Sequence, residues 1–361
     1  MIARVFSLLL SLFLTIDAWA LVLKDYLGRQ IEITRKVEKV VAIGPGALRL
    51  LFYLGAEGQL CGVEEVEKNL DTIGKDYAMT KSFEKVKRLP TIGPGGPGKP
   101  PVPELLLNVK PDLIVISSTI AEVYDPNRLQ QETTTPVLVI SLGPSGHVEE
   151  KTLKDTLLLL GKALDKTQRA HELISTFEKL LADLKKRTEG ARPILERVYI
   201  GAVSFKGAQP FTATQCPYPP LSWLGLSSIA DKYSRTAGFL NLDFEVFYKE
   251  QPQLIFIDEG NLELVKEDFR KDPAKYCLIE AFQESRVYGL LPFNYYWTNV
   301  STALANAYYV GKVLFPHRFK DIEPTKKAND IFNAFLNEPI YEKFLLRYPG
   351  FVNLGDYFKC R

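Results

Sequence analysis

The chain has 361 residues, more than one hydrophobic core usually fills, so two domains are expected. Its 45 Lys and Arg nearly cancel 43 Asp and Glu, leaving a formal charge of +2 and no electrostatic footprint for nucleic acid. A composition 46% hydrophobic and 11% aromatic excludes a disordered or low-complexity chain.

At the N-terminus Arg4 supplies a positive charge, residues 5–16 an apolar run, and Ala18-Trp19-Ala20 a small-x-small cleavage pattern. The run is shorter than a comfortable membrane span, and no later segment qualifies. Residues 1–20 are therefore expected to be a signal peptide cleaved near Ala20. The mature chain, from Leu21, would be exported, soluble and not membrane-spanning, with no Cys behind the cleavage site to carry a lipid.

Residues 25–33 alternate around Gly28 and read as a small hairpin. A buried strand over 37–43 then feeds Gly44-Pro45-Gly46 and a helix over 47–54, the opening of an α/β lobe. Residues 60–63 read as the next strand, and 69–89 as an irregular surface excursion with one helical piece. Residues 91–101 alternate glycine and proline, the most unusual composition in the chain. Strands over 113–116 and 136–140 follow, and 151–164 is helical.

The element around which both halves are arranged is a helix over 166–189. Ala170, Leu173, Ile174, Phe177, Leu180, Leu181 and Leu184 recur at spacings of three and four, one apolar stripe. Asp165 is placed to cap it, with Gln168 completing a capping box. Lys185, Lys186 and Arg187 suit the negative end of the dipole, and Gly190 and Pro193 stop it.

Beyond this rod, residues 197–201 read as a strand, 205–218 as loop and 219–231 as helix. Strands over 254–257 and 287–290 follow, then helices over 301–314, 326–336 and 340–346. A repeat ties the two sides together. Glu104 stands seven residues before Pro111, and Glu245 seven before Pro252; each proline is followed by one polar residue and an unbroken apolar run. In each case a short helix would hand over to a buried strand of the kind found in parallel sheets. The fold class is therefore α/β: two lobes, each a mostly parallel sheet flanked by helices, joined by a single long backbone helix. The expected domains are 21–165, the connector 166–190, and 191–361 with its terminal helices.

Several stretches could bind a ligand. Gly44, Pro45 and Gly46 lie where a strand feeds a helix N-terminus, where backbone N–H groups face whatever approaches the strand ends. Gly95, Gly96 and Gly98 sit in a loop that lets backbone come close to a ligand while proline limits its motion. The segment 293–299, with Tyr295, Trp297 and Asn299, has the make-up of a pocket wall. Arg49 and Lys206 are placed to neutralise an anion. The three histidines, His147, His171 and His317, fall in different elements, and neither a catalytic triad nor a metal-ligand spacing occurs. Cys61, Cys216, Cys277 and Cys360 fit no zinc pattern, and the sequence commits to no pairing.

The hairpin with Asp25-x-x-Gly28-Arg29, the strand-to-helix opening, the repeated Glu…Pro pattern and the rod together resemble the substrate-binding proteins of ABC importers whose two α/β lobes share one long helix. That class serves ferric siderophores, haem, cobalamin and some oxyanions. The two Gly-Pro loops and the Asn294-Tyr295-Tyr296 segment are similar to the subgroup that binds iron(III) compounds. The resemblance implies a periplasmic, monomeric, non-enzymatic protein with no resident cofactor. It would capture an iron(III) chelate between its lobes and deliver it to an ABC transporter permease dimer. It also implies that Glu104 and Glu245, one per lobe, dock onto that permease. Cobalamin or a molybdate-type oxyanion is the alternative cargo, and an exported enzyme using the cleft is the alternative outside transport.

Overall fold

The computed structural model describes residues 20–360. The expected signal peptide lies outside them, save for Ala20. Strands β1 (Leu21–Lys24) and β2 (Gln30–Ile33) form the antiparallel hairpin. Its turn is held by Asp25, whose Oδ1 accepts the N–H groups of Leu27 and Arg29 while Oδ2 pairs with the Arg29 guanidinium at 2.7 Å. The same motif seals a sheet edge: Tyr26 N–H donates to the Val139 carbonyl, and Val139 N–H donates to Asp25. An unpaired strand edge is thereby covered.

The first lobe carries the parallel sheet of β3 (Val40–Ile43), β4 (Leu113–Ser117) and β5 (Val137–Ile140), with β4 central. In the second lobe β6 (Val198–Gly201), β9 (Leu254–Asp258) and β10 (Val287–Leu290) make the counterpart, with β9 central. Every strand of both sheets is apolar along most of its length because helices cover both faces. Between β6 and β9, β7 (Ala213–Cys216) and β8 (Gly238–Asn241) form a separate antiparallel ribbon.

The rod is the helix Thr167–Thr188, about 33 Å long at 1.5 Å per residue. It buries Ala170, Leu173, Phe177 and Leu184 and packs against the preceding helix Glu150–Ala163. The two can come this close because residue 161 is glycine; a Cβ there would lie 2.7 Å from that of Ala170. Arg169 bolts the rod to its surroundings. Its guanidinium donates to the Tyr53 carbonyl at 3.0 Å and to the Ala334 and Phe335 carbonyls at 2.7 and 3.1 Å. All three acceptors lie in the last turn of a helix, where a cation is favourable.

One continuous apolar core runs from Leu23 and Leu51 of the first lobe through Leu173 and Phe177 of the rod to Phe256, Leu304 and Phe335. Each sheet has a smaller core on its other face, around Ile114 and Leu129 in the first lobe and around Phe211, Phe269 and Phe282 in the second. The lobes therefore share packing as well as a connector.

Five expectations need correction. Residues 69–89 are not a surface excursion, since Lys75, Asp76, Tyr77, Phe83 and Val86 are buried. Asp165 does not cap the rod: at φ 58° it sits in the tight reversal between two antiparallel helices, and its carboxylate pairs with Lys36. Residues 60–63 make only isolated bridges, Leu60 to Val40 and Val63 to Thr91. The loop expected over 205–218 contains β7, and the helix expected over 219–231 is one turn at Pro219–Ser222 and a 3-10 turn at Ile229–Tyr233. Cys277 and Cys360 form a disulfide across 83 residues, while Cys61 and Cys216 are free. Among the described residues no helix is long and apolar enough to cross a membrane.

Candidate functional site

A cavity of about 450 Å³ opens between the lobes. Five of the segments lining it directly follow strands: Pro45 after β3, Ser145 after β5, Ser204 after β6, Gly260 after β9 and Pro292 after β10. Both sheets thus point their carboxyl ends at one space, the usual place for a ligand in α/β folds. Phe205, Tyr295, Tyr296, Trp297 and Tyr348 give the cavity aromatic walls, while Lys206 and Arg347 bring positive charge to it.

Of the ligand-binding candidates, Pro45, Lys206, Tyr295 and Trp297 line this space. The others stand behind its wall. Gly44 N–H donates to Glu64 Oε2 at 3.0 Å, and a Cβ on Gly44 would lie 2.3 Å from Ser117 Oγ. Gly46, at φ 81°, starts the helix Ala47–Tyr53 and lies against Trp297. Gly95 faces the Glu64 side chain, Gly96 N–H donates to the Tyr296 hydroxyl at 3.1 Å, and Gly98 stands free of neighbours. Gly44 and Gly96 therefore spend their N–H donors on protein groups and support the wall from behind.

Arg49 and Asn299 are fully buried and do not line the cavity. Arg49 Nε donates to Asp76 Oδ1 at 2.8 Å, and its Nη2 donates to Asn299 Oδ1 at 2.8 Å and to the Tyr295 carbonyl at 2.9 Å. Its Nη1 reaches the Tyr296 carbonyl at 3.3 Å. Asp76 takes further bonds from the Tyr53 hydroxyl and from Ser301 Oγ. A buried charge tolerates its desolvation only when paired and hydrogen-bonded in this way. These bonds hold an unusual backbone: Tyr296 and Trp297 have φ of 49° and 80°. Bulky residues in that region cost about 1–3 kcal/mol each, which hydrogen bonds to a charged group, worth about 1.5–3 kcal/mol each, can offset.

The opposite wall is organised by Asp258, Asn261 and Asn294. Asp258 accepts the N–H groups of Ser204 and Gly260 at 3.1 and 2.9 Å. Asn261 donates to the Ala202 carbonyl and accepts the Gln209 N–H, while Asn294 donates to the Ser204 carbonyl. The loop carrying Phe205 and Lys206 is thus tied at both ends, with Lys206 exposed at its tip. The walls meet where Ser145 Oγ donates to Asn294 Oδ1 at 2.9 Å and Gly146 N–H to Thr298 Oγ1 at 3.0 Å.

Three buried carboxyls lie just behind the walls. Burial pushes Glu64 up to about 8, against the opposing bonds from Gly44 and Tyr296. Burial likewise raises Glu259 to about 8 and Asp258 to about 6, each only partly offset by backbone N–H donors. Near neutral pH Glu64 and Glu259 are thus largely uncharged. Among the described residues no group of three His, Cys, Asp or Glu is gathered to hold a metal ion.

Sequence reasoning missed Ser145, Ser204, Arg347 and Tyr348, which the fold brings in from three separated segments. The first two share a signal of position: they follow the ends of strands that were themselves legible. Arg347 and Tyr348 had no such marker. They arrive because the C-terminal segment packs on residues 71–81, through Arg347 to Asp71 and through Lys343 to the Met79 carbonyl.

Comparison with known proteins agrees with this architecture. The chain is 22% identical over 339 residues to the molybdate-binding protein MolA of Haemophilus influenzae, spanning 87% of this chain and 90% of that one. A periplasmic solute binding protein from Veillonella parvula superposes with a TM-score of 0.69 at 17% identity, over 91% of this chain and 96% of that one. MolA bound to molybdate superposes with a TM-score of 0.66 at 19% identity, over 88% and 98%. Helicobacter pylori CeuE in a nickel–histidine complex does so with a TM-score of 0.58 at 17% identity, over 91% and 100%. The family model described as periplasmic binding protein matches residues 40–292, from the first strand of one sheet to just past the last strand of the other. The chain belongs to that periplasmic binding protein family.

Proposed function

We propose that the chain is the periplasmic solute-binding component of an ABC importer. It captures an iron(III) complex, or a similar compact anionic metal chelate, between its lobes and delivers it to a permease dimer. The observation that carries this reading is the cavity itself: about 450 Å³, walled by aromatic side chains, with Lys206 exposed at its edge for a negative ligand. Aromatic walls suit the organic shell of a chelator, and a cation suits its charge. The activity is capture and release, with no covalent step, by a monomer built from lobes 21–165 and 191–361 around connector 166–190. The core shared between the lobes restricts hinge motion, so closure is modest.

Glu104 and Glu245 are both exposed, each in the first turn of the short helix before the central strand of its sheet. One like charge per lobe suits a two-fold symmetric partner, which is why we assign them to the permease.

A second reading, a molybdate-type oxyanion, is favoured by the similarity to MolA along 87% of the chain. Titration separates the two, with Trp297 emission as the reporter. Saturable change with a ferric chelate such as ferric citrate, and none with molybdate, supports the first. The reverse result replaces it with the second.

A further inference from the structure

The turn formed by Tyr295, Tyr296 and Trp297 belongs to the second lobe by chain order, since it follows β10 directly. Its flanks bridge to each other, Asn294 to Thr298, but the bonds to its own three residues come from the first lobe. Arg49, on the helix Ala47–Tyr53, holds the carbonyls of Tyr295 and Tyr296. Glu64 accepts the Tyr296 hydroxyl at 3.2 Å, and Gly96 donates to that hydroxyl from the other side. Gly46 presses on Trp297 so closely that a Cβ there would lie 3.1 Å from the indole's own Cβ. All four groups come from the first lobe.

We infer that Arg49 and Glu64 are positioning residues that clamp this turn to the first lobe and hold Trp297 in the cavity wall before any ligand arrives. The left-handed backbone at Tyr296 and Trp297 makes the clamp necessary. Without it both residues relax toward the extended or right-handed regions that bulky side chains prefer. The aromatic wall is then a preassembled surface travelling with the glycine loops, and lobe movement is taken up elsewhere in the second lobe. Preorganisation of this kind reduces the ordering cost of capture.

The test needs no ligand, so its outcome is independent of what the cavity carries. The sequence has three tryptophans, Trp19, Trp223 and Trp297. Replacing Trp19 and Trp223 by Phe leaves Trp297 as the only reporter; replacing Trp19 and Trp297 leaves Trp223, which packs edge-on against Phe177 of the rod. Acrylamide quenching is measured in both backgrounds with and without Arg49→Lys. The expected result is that quenching of Trp297 rises about twofold or more as the turn samples other conformations, while Trp223 does not change. Unchanged Trp297 quenching in a folded variant, or an equal rise at both tryptophans, overturns the inference. If Arg49→Lys fails to fold, Tyr296→Phe, which removes only the hydroxyl that meets Glu64 and Gly96, is read by the same two criteria.

Discussion

Asp112 and Gln253 make the same bonds in the two lobes. Asp112 Oδ2 accepts the N–H groups of Glu38 and Lys39, and Gln253 Oε1 accepts those of Glu196 and Arg197. Their own N–H groups donate to the Lys39 and Arg197 carbonyls, each at 2.7 Å. Each residue follows the proline of the repeated Glu…Pro pattern, and each launches the central strand of its sheet beside the first. The short helix before it ends in both lobes on a left-handed residue, Lys110 at φ 49° and Gln251 at φ 44°. The repeat visible in the sequence is thus a repeat of hydrogen bonds, and it places Glu104 and Glu245 at equivalent points.

That equivalence gives a transport prediction. Reversing Glu104 and Glu245 together to Arg is expected to abolish uptake of the cargo in cells carrying the cognate permease while leaving its affinity for the purified protein unchanged. Both side chains are exposed, so stability should move by less than about 0.5 kcal/mol. Normal uptake by the double variant would remove the docking role.

The Arg49–Asp76 pair is fully buried on both sides. Breaking such a pair from one side leaves an uncompensated charge and costs about 3–5 kcal/mol. Asp76→Ala should therefore shift the denaturation midpoint strongly. A shift within the range of surface substitutions would show that the network contributes little.

The buried carboxyls set a pH dependence. Glu64 and Glu259 have folded values raised to about 8, above the ordinary carboxylate range. Between those two values the folded chain holds more protons than the unfolded one, so stability falls as pH rises. The loss is complete above about pH 8 and amounts to a few kcal/mol in order of magnitude for each group. Asp258, raised to about 6, adds a smaller loss at lower pH. Melting temperature is expected to decline from pH 5 to pH 9, and Glu64→Gln to flatten the decline. A flat profile in the unaltered protein would mean that these groups are not buried as described.

The disulfide closes a loop of 83 residues between Cys277 and Cys360, tying the end of the chain to the second lobe. Replacing both cysteines by Ser should cost about 2–5 kcal/mol by freeing the unfolded chain. Equal unfolding midpoints for the double variant and the parent would contradict a formed bond.

Strands were the most legible part of the fold. The apolar runs of β4, β5, β9 and β10 stand out because both sheet faces are covered, and the stripe of the rod because one face is buried. The ribbon of β7 and β8 was missed because Pro210, Pro217 and Gly238 punctuate it like loop. The helix Leu262–Lys271 did carry a signal, with Leu262, Val265 and Phe269 at helical spacing, that went unread. Of the aromatic and basic residues singled out near strand ends, Lys206, Tyr295 and Trp297 line the cavity. Arg49 was misplaced because Asp76, its partner, is 27 residues away and only the fold joins them. The role of the glycine loops hinged on one buried acid, Glu64, that nothing in its local sequence marks.

The central claim is that the cavity carries an iron(III) chelate. Elemental analysis by inductively coupled plasma mass spectrometry, on protein purified natively from iron-replete cells, tests it most directly. The account predicts iron close to one equivalent per chain, released together with an organic chelator on denaturation. Molybdenum in that place, with no iron, would contradict it and move the chain to oxyanion transport.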